Sequence, residues 1–415
     1  LCVLLYFGHM PAQWKRDVKK AFRCLPNLPA HFRFAGVVFQ EGDEKYFSLH
    51  YACSFGGIAA VQNWHRVGAA LSFLLLKALR VPVGRFVDDF FGATRADVKW
   101  SGGRCLDRLA KALGLLIEPD KSEDDMIQMR LLGSQVTVCP RRREVNTEID
   151  EAKAKQWSRE FLGHLECGCM DGGRAAKGAG RMAFSVTVTH DMVGRPFIRP
   201  LYRQQFDPLP GGVMSVWLQQ ALIFWVAYMR LRPSRWCSHE QLERPRSYAW
   251  TDACGETRIV AAVVIMHGQM HYCFKRMEPE FMAQLIPRDD AQIGVLEMTA
   301  VWLLLATFGQ AMTGHLLSLW IDNQGCLYSL IKAASKAPEC NKMTAHFWLF
   351  VSRRRINVRI FYVESAANIA DGPTRDYFKL LEFFQAIPTE PVLPSWIYDL
   401  WSLSLDDYAE ILRGE

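Results

Sequence analysis

Two adjacent aspartates, Asp88 and Asp89, stand in an otherwise apolar stretch that reads Phe-Val-Asp-Asp-Phe-Phe over 86–91. Neighbouring carboxylates repel each other, and burying either one without a partner is costly. The β-branched and aromatic flanks are typical of a strand or of a hairpin tip that leaves a sheet. The pair is therefore either a solvated turn or a site for a divalent cation, and the dipeptide alone does not decide between the two.

Length and composition bound the architecture. The 415 residues are too many for one ordinary domain, and a hydrophobic fraction of 50% favours well-built cores over disorder. Among the twelve cysteines only Cys167 and Cys169 are closely spaced, and neither a second pair nor a histidine stands at zinc-finger spacing from them. We therefore expect reduced thiols and an intracellular protein, in the cytoplasm, the nucleus or both.

The net charge of +6 is unevenly distributed along the chain. Residues 1–245 hold 34 basic against 24 acidic side chains, whereas 386–415 hold 1 against 6. A basic first part is typical of a protein that binds a polyanion, although a solvated basic face would give the same pattern. The apolar run 213–231 contains two glutamines and ends in arginines, so it predicts a buried helix and no membrane partner.

The order of predicted elements changes along the chain. Residues 1–145 mix short β-rich runs with helices, and 146–245 contain a charged helix, a Gly-rich stretch, a Pro-rich loop over 195–210 and the apolar helix. From 246 to 385 strands come first and then alternate with helices, which predicts a mixed sheet with helices on its faces. The sequence thus predicts an α/β and α+β multidomain chain that ends in an acidic tail.

Four acids in the second half follow this order of elements. Asp252 and Asp322 each follow a predicted strand, Glu297 lies on an apolar helix face, and Asp371 comes after the last strand. A carboxylate on an apolar helix face is penalised unless it is paired or binds a metal. Each aspartate alone would fit a turn or a helix cap. All four in this order are better explained by one site.

These acids, on strand, helix, strand and helix, resemble the active site of ribonuclease H. The resemblance implies that Asp252, Glu297, Asp322 and Asp371 hold two Mg²⁺ ions, with Mn²⁺ as an alternative, roughly 4 Å apart. It also implies cleavage of the RNA strand of an RNA–DNA hybrid. The ending Ala-Asp-x-x-Thr-Arg over 370–375 resembles the retroelement version of the domain, and the histidine that many cellular enzymes carry before this aspartate is absent.

The first half resembles a reverse transcriptase. Asp17, with Phe22 five residues later, resembles motif A, and Asp88-Asp89 resembles motif C. Phe55-Gly56 resembles motif B, although Cys-Ser precedes it where the family usually has Leu-Pro. The resemblance implies that the three aspartates hold two Mg²⁺ ions, and that Phe22 excludes a ribose 2′-hydroxyl while Phe55-Gly56 lets template and nucleotide approach the backbone.

Two later segments extend this resemblance. Gly114-Leu115 and Lys121-Ser122 resemble motif D, and 131–133 resembles motif E. Lys121 would then act as general acid toward the pyrophosphate leaving group, whereas the alternative is an ordinary solvent-exposed lysine. The substrates implied are an RNA template, a DNA primer, dNTPs and an RNA–DNA hybrid.

The combined order resembles a retrotransposon Pol polyprotein, most similar to DIRS-like or Ty3-like elements. It implies a right-hand polymerase palm with the start of a thumb over 1–145, a thumb or connection region over 146–245, a ribonuclease H-like domain over 246–385 and an acidic tail over 386–415. The protein would be a nucleotidyltransferase fused to a hybrid endoribonuclease. Only about 16 residues precede Asp17, so we expect a fragment that lacks the fingers region.

Two alternatives remain open at this point. One is a non-polymerising remnant that only binds nucleic acid or keeps nuclease activity. The other is an integrase or transposase nuclease, which would use Asp252, Asp322 and Glu364 and leave Glu297 and Asp371 without a role.

Overall fold

The computed structural model describes residues 1–189, 192–238, 244–288 and 292–400, except for the side chain of Asp125. They form two compact units: unit 1 comprises 1–146 with 236–238, and unit 2 comprises 147–235 with 244–400. All twelve cysteines are free thiols. No helix in the described ranges combines the length and the apolarity that a membrane crossing requires.

Unit 1 is built mainly from short strands. Its helices and strands are α1 Cys2–Tyr6, β1 Pro11–Asp17, β2 Gly36–Glu41, β3 Glu44–Leu49, α2 Ile58–Phe73, β4 Val83–Phe86, β5 Asp89–Arg95, α3 Ser101–Ala112, β6 Glu123–Met126, β7 Gln128–Leu131, β8 Ser134–Cys139, β9 Glu144–Ile149 and β10 Arg235–Ser238. The last two strands cross the division between the units, since β9 continues into unit 2 and β10 returns from it.

An antiparallel sheet with the order β4-β5-β1-β6 forms the centre of unit 1. Trp14 of β1 and Phe90 of β5 pack against Trp64 of α2 and Leu106 of α3, and all four side chains are completely buried. A second sheet, β10-β9-β8-β7, has a small core of its own together with α1. The hairpin of β2 and β3 pairs only within itself.

Unit 2 joins a group of helices to a six-stranded sheet. Its elements are α4 Glu151–Cys167, α5 Gly172–Val188, α6 Arg195–Phe206, α7 Val216–Leu231, β11 Arg246–Cys254, β12 Ile259–Met266, β13 Gln269–Arg276, α8 Pro279–Ala283, α9 Ile293–Phe308, β14 Leu316–Ile321, α10 Gln324–Lys332, α11 Pro338–Arg353, β15 Asn357–Tyr362, α12 Asp371–Thr374, α13 Lys379–Phe383 and β16 Ile387–Pro388. The strand order is β15-β14-β11-β12-β13-β16. The three strands β11, β12 and β13 form an antiparallel meander, while β14 and β15 run parallel to β11. The predicted mixed sheet is therefore present.

One hydrophobic core runs through unit 2, from Ile149 to Leu400. Helix α7 contributes Phe224, Trp225 and Tyr228, all completely buried, so the apolar run is the buried helix that the sequence predicts. The segment expected to be a thumb or connection region therefore shares its core with the sheet. The described part of the acidic tail is also packed, because β16 pairs with β13 and the buried Lys342 donates a hydrogen bond to the Leu400 carbonyl. Residues 401–415 lie outside the described residues.

The prediction of a Pro-rich loop over 195–210 is wrong, because most of this segment is helix α6. Pro196 stands in the first turn, where the missing N–H has no partner to lose, and Pro200 is tolerated inside the helix. Phe197, Ile198 and Leu201 bury one face of α6 against the core, and this packing outweighs the low helix propensity of proline. Helix α11 was not foreseen.

A close contact in unit 1 leads to a stability prediction. A Cβ atom added at Gly92 of β5 would lie 2.6 Å from the Pro82 carbonyl oxygen and 2.7 Å from the Trp14 indole. Because backbone and a buried ring cannot easily move aside, we expect Gly92→Ala to lower the free energy of unfolding by about 1–3 kcal/mol, measured by urea denaturation.

Gly163→Ala is the matched control, because nothing lies within 4 Å of the added Cβ in helix α4. This change should leave stability unchanged or raise it by up to about 1 kcal/mol. Equal losses in the two variants would contradict the tight packing of β5.

Candidate metal centre

Three acidic side chains of unit 2 converge on one point. Ligand oxygens of Asp252, Glu297 and Asp322 all lie within 4.8 Å of one another. Strands β11 and β14 are parallel neighbours, with Thr251 opposite Ile321, so the next residue of each strand reaches the same edge of the sheet. The second turn of α9, which packs on β11 and β12, brings Glu297 to that edge.

The position of Asp252 differs from the prediction in one respect. The sequence placed it after a strand, but β11 continues to Cys254 and Asp252 pairs with Ala261 of β12. The strand is longer than its apolar run because the antiparallel partner β12 extends the ladder. Asp252 is consequently held by backbone pairing and is not a loop residue.

A row of stacked aromatic rings braces the strands that carry these acids. The Trp250 and Trp320 ring centres are 4.9 Å apart at an interplanar angle of 11°, and Phe361 of β15 stacks on Trp320 at 5.4 Å. Trp250 and Trp320 each stand two residues before an acid, Asp252 and Asp322 respectively. Side chains two residues apart on a strand share a face of the sheet. Such cross-strand pairs stabilise a sheet and fix its register.

Burial makes the charged form unfavourable for two of the three carboxylates. Asp252 and Glu297 are each only 4% exposed. Burial, with additional repulsion from Asp322 and Asp371, raises the pKa of Asp252 to about 6, against the hydrogen bond from Thr374. Burial and the charges of Asp252 and Asp322 raise the pKa of Glu297 well above its usual value. Carboxylates held this way are stabilised by a cation.

Two buried oxygens at this point have no hydrogen-bond partner among the described residues. They are Oε2 of Glu297 and Oδ1 of Asp322. Orphaned buried acceptors are rare in folded proteins, and each needs a physical explanation. The possible metal ligands at this point are all carboxylate oxygens, and Mg²⁺ and Mn²⁺ prefer oxygen ligands. The residues present therefore fit a hard divalent cation.

The fourth predicted acid, Asp371, lies next to this group and not within it. It is the first residue of α12, and its Oδ1 accepts a 2.8 Å hydrogen bond from Nε of Arg375. Its charge contributes to the raised pKa of Asp252, so the two aspartates are electrostatically coupled. Its predicted role as a metal ligand stays a prediction.

Sequence reasoning assigned no role to two residues that support the acids. Oγ1 of Thr374 lies 2.8 Å from Asp252 Oδ2 and 2.8 Å from the Asp371 carbonyl oxygen. The buried Asn368 side chain donates to the Thr251 carbonyl at 3.0 Å, which fixes the turn before α12 to β11. The threonine was part of the quoted 370–375 motif, and that motif is the signal from which its role could have been inferred.

In unit 1 the predicted motif A and motif C acids also meet. Asp17, the last residue of β1, is the cross-strand partner of Asp89, the first residue of β5. Asp88 lies in the two-residue turn between β4 and β5, so the predicted hairpin tip is confirmed. Burial raises the pKa of Asp88 and of Asp89, and the charge of Asp17 adds to both shifts. Among the described residues, only Asp252, Glu297 and Asp322 of unit 2 lie close enough together to form a group of metal ligands.

The hairpin turn is strained and is held in place by hydrogen bonds. Val87 has a φ of 53°, which is unfavourable for a β-branched residue and costs about 1–3 kcal/mol. Its carbonyl accepts hydrogen bonds from Nε1 of the buried Trp64 at 2.7 Å and from Arg85 at 2.8 Å. These contacts fix where the Asp88 backbone emerges from the sheet.

The remaining predicted residues of unit 1 lie near these acids or near one another. Nζ of Lys121 is 3.1 Å from Asp17 Oδ2. The rings of Phe22 and Phe55 meet edge to face at 5.4 Å, and Gly56 has a φ of 86° that a side chain would strain. The structure thus brings Lys121 into contact with Asp17 and Phe22 into contact with Phe55.

Comparisons with known proteins give a structural likeness only. Neither a protein-family model nor a curated protein matches the sequence. The chain is similar to a foamy viral protease-reverse transcriptase dRH in complex with double-stranded DNA, with a TM-score of 0.41, 12% identity and coverage of 86% of this chain and 57% of that chain. It is also similar to a foamy viral protease-reverse transcriptase in complex with an RNA/DNA hybrid, with a TM-score of 0.38, 11% identity and coverage of 85% and 44%. The chain thus spans about half the length of these structures. Similarity at this level assigns neither a family nor an activity.

The raised pKa of Asp252 leads to a pH prediction. Because the folded pKa of about 6 lies above the ordinary 3.8, the native state binds this proton more tightly than the unfolded chain does. In EDTA the free energy of unfolding should therefore fall by about 2–3 kcal/mol as the pH rises from roughly 4 to 6.5. Urea denaturation across this pH range measures the slope.

Asp252→Asn is the control, since it removes the titrating group and retains an oxygen that accepts from Thr374. The free energy of unfolding of this variant should depend less on pH than that of the wild type. At pH 7.5, Mg²⁺ should stabilise the wild type more than the variant. Parallel profiles for the two proteins would contradict the buried charge of Asp252.

Proposed function

We propose that unit 2 is a metal-dependent endoribonuclease that cuts the RNA strand of RNA–DNA hybrids. The observation that carries the proposal is the placement of Asp252, Glu297 and Asp322, whose ligand oxygens converge within 4.8 Å while two of the oxygens stay unpaired. Two buried acids and a third, half-buried one at this spacing are unfavourable for stability unless a cation or proton offsets their charge. A phosphodiester nuclease uses such a site to hold Mg²⁺ against its substrate.

In this proposal some residues would bind the metal and others would position the metal ligands. Asp252, Glu297 and Asp322 would hold Mg²⁺ at the edge of the sheet, with Asp371 beside them. Bound Mg²⁺ supplies a lowered pKa for water and positive charge for the phosphodiester oxygens. Thr374 fixes one oxygen of Asp252 through its hydroxyl, and Arg375 holds the Asp371 carboxylate. The buried position of Glu297 on α9 leaves it little freedom to turn away.

The integrase or transposase alternative is less well supported. It requires Glu364 to complete the site, but Glu364 follows β15 at the start of a short 3₁₀ turn and is not a member of the acidic group. Glu297, which that alternative leaves without a role, is a member. The geometry therefore favours the nuclease of the ribonuclease H type.

Glu297→Gln tests the proposal directly, because it keeps the shape and removes the charge. We expect Mg²⁺-dependent cutting of a labelled RNA–DNA hybrid to fall by roughly 100-fold or more. Without metal the variant should be at least as stable as the wild type, because the buried charge that is lost was unfavourable. The stability measurement shows that lost cleavage does not come from unfolding.

Glu364→Gln is the matched control and should cut the hybrid at the wild-type rate. If Glu364→Gln abolished cleavage while Glu297→Gln retained it, the strand-transfer class would be the better assignment. If the wild type does not cut any hybrid in Mg²⁺ or Mn²⁺, the chain is a remnant that only binds nucleic acid.

A second function is proposed for unit 1, as the palm of an RNA-directed DNA polymerase in a retroelement Pol protein of the DIRS-like or Ty3-like kind. The supporting observation is the pairing of Asp17 with Asp89 beside the Asp88 turn, with Lys121 in contact with Asp17. An RNA template, a DNA primer and dNTPs would be its substrates. The basic character of 1–245 suits phosphate contacts that weaken steeply with salt.

The two proposed sites can be separated by one pair of variants. Asp88→Asn should abolish primer extension on an RNA template and leave hybrid cleavage intact, whereas Glu297→Gln should do the reverse. Primer extension that survives Asp88→Asn would contradict the palm assignment and leave the nuclease proposal untouched.

A further inference from the structure

Two thiols that the proposed function does not use lie side by side in unit 2. The Sγ atoms of Cys167 and Cys169 are 3.2 Å apart, at the point where helix α4 ends. Cys167 is the last residue of the helix and is exposed, while Cys169 is half-buried. Gly168 between them caps the helix with a φ of 67°, and this conformation turns the chain so that the two sulfurs face each other.

Hydrogen bonds hold the backbone on either side of the two thiols. Met214 N–H donates to the Gly168 carbonyl at 3.1 Å, and Met170 N–H donates to the Gly212 carbonyl at 2.8 Å. Nothing lies within 4 Å of a Cβ built on Gly168. Since a disulfide has a sulfur–sulfur bond of about 2.05 Å, closure requires the two atoms to approach by only about 1 Å.

A positively charged cavity borders the more exposed thiol. It has a volume of about 470 Å³, and Cys167 lines it together with Arg159, His164, Arg174, Lys177 and Arg181. Glu160 also lines it and forms an ion pair with Arg181, so the lining has more positive than negative side chains. A cavity of this kind suits a small molecule that carries carboxylates.

The two thiols are also electrostatically unequal. The hydrogen bond with Cys169 lowers the pKa of Cys167, and the charge of Arg174 contributes in the same direction. The same hydrogen bond raises the pKa of Cys169. Cys167 is also the more exposed of the two thiols, so we expect its thiolate to attack first.

We propose that Cys167 and Cys169 are a redox-active dithiol, which small anionic disulfides of the glutathione class oxidise to an intramolecular disulfide at the basic cavity. The Cys167 thiolate attacks one sulfur of glutathione disulfide, forms a mixed disulfide and releases one glutathione thiolate. The Cys169 thiolate then attacks Sγ of Cys167, and the second glutathione leaves. The two protons of the protein thiols go to the two released glutathiones, so one dithiol is oxidised and one disulfide is reduced.

The test uses the full chain, reduced and then equilibrated in glutathione buffers of increasing oxidised fraction. Free thiols are blocked by alkylation, and the linkage is located by peptide mass mapping. We expect a Cys167–Cys169 disulfide in the wild type. Cys169→Ser should instead accumulate glutathione on Cys167, because the resolving thiol is gone. Cys167→Ser should form neither product at this position.

The cavity is tested with Lys177→Gln, which removes one positive charge of the lining. Its reaction with glutathione disulfide should slow several-fold, while its reaction with the neutral hydroxyethyl disulfide should not change. Cys24, exposed in unit 1, is the reference thiol within the same protein. Three results would overturn the proposal. They are oxidation that forms no Cys167–Cys169 linkage, glutathione on Cys24 as fast as on Cys167, and equal slowing of both reagents by Lys177→Gln.

Discussion

Mutual repulsion among Asp252, Glu297 and Asp322 is the constraint that the rest of unit 2 has to satisfy. Within the described part of the chain, none of the three forms an ion pair, and both Asp252 and Glu297 are nearly inaccessible to water. The fold must therefore hold these mutually repelling carboxyl groups together by other means. Pairing of β11 with β14 and the large core beneath α9 fix the backbones, and Thr374 fixes one carboxylate. Under the proposed function, a bound divalent cation would offset the repulsion among the acids.

The acids of unit 1 also repel one another, but neighbouring lysines reduce this repulsion. Lys121 lies 3.1 Å from Asp17, and Lys15 lies 3.8 Å from Asp89, so part of the negative charge is already neutralised. The hairpin stores its strain in the Val87 turn, which Trp64 and Arg85 hold through the carbonyl. The site in unit 2 is thus the more direct indicator of metal chemistry, although the sequence drew attention first to Asp88 and Asp89.

Much of this organisation could be predicted, because the sheet strands and the acids obey simple local patterns. The strand at Leu316–Ile321 and the helix carrying Glu297 follow from their apolar runs, and Asp322 follows from its position directly after that strand. Helices α6 and α11 escaped prediction since tertiary contacts outweigh their local signals. In α11 the buried Glu339 is satisfied by the Ile286 N–H and by Arg288, so a charged residue occupies a core position. The 4.8 Å convergence and the two orphaned oxygens depend on sheet register and helix packing, which local sequence does not encode.

The central claim is that the three carboxylates of unit 2 form a site for a divalent cation. Crystals of the protein soaked in Mn²⁺ test it without reference to activity, because the anomalous signal locates the metal itself. We expect an anomalous peak at about 2.0–2.3 Å from oxygens of Asp252, Glu297 and Asp322, and none in the Glu297→Gln variant. Fully ordered carboxylates with no peak between them, or Mn²⁺ bound only elsewhere, would contradict it.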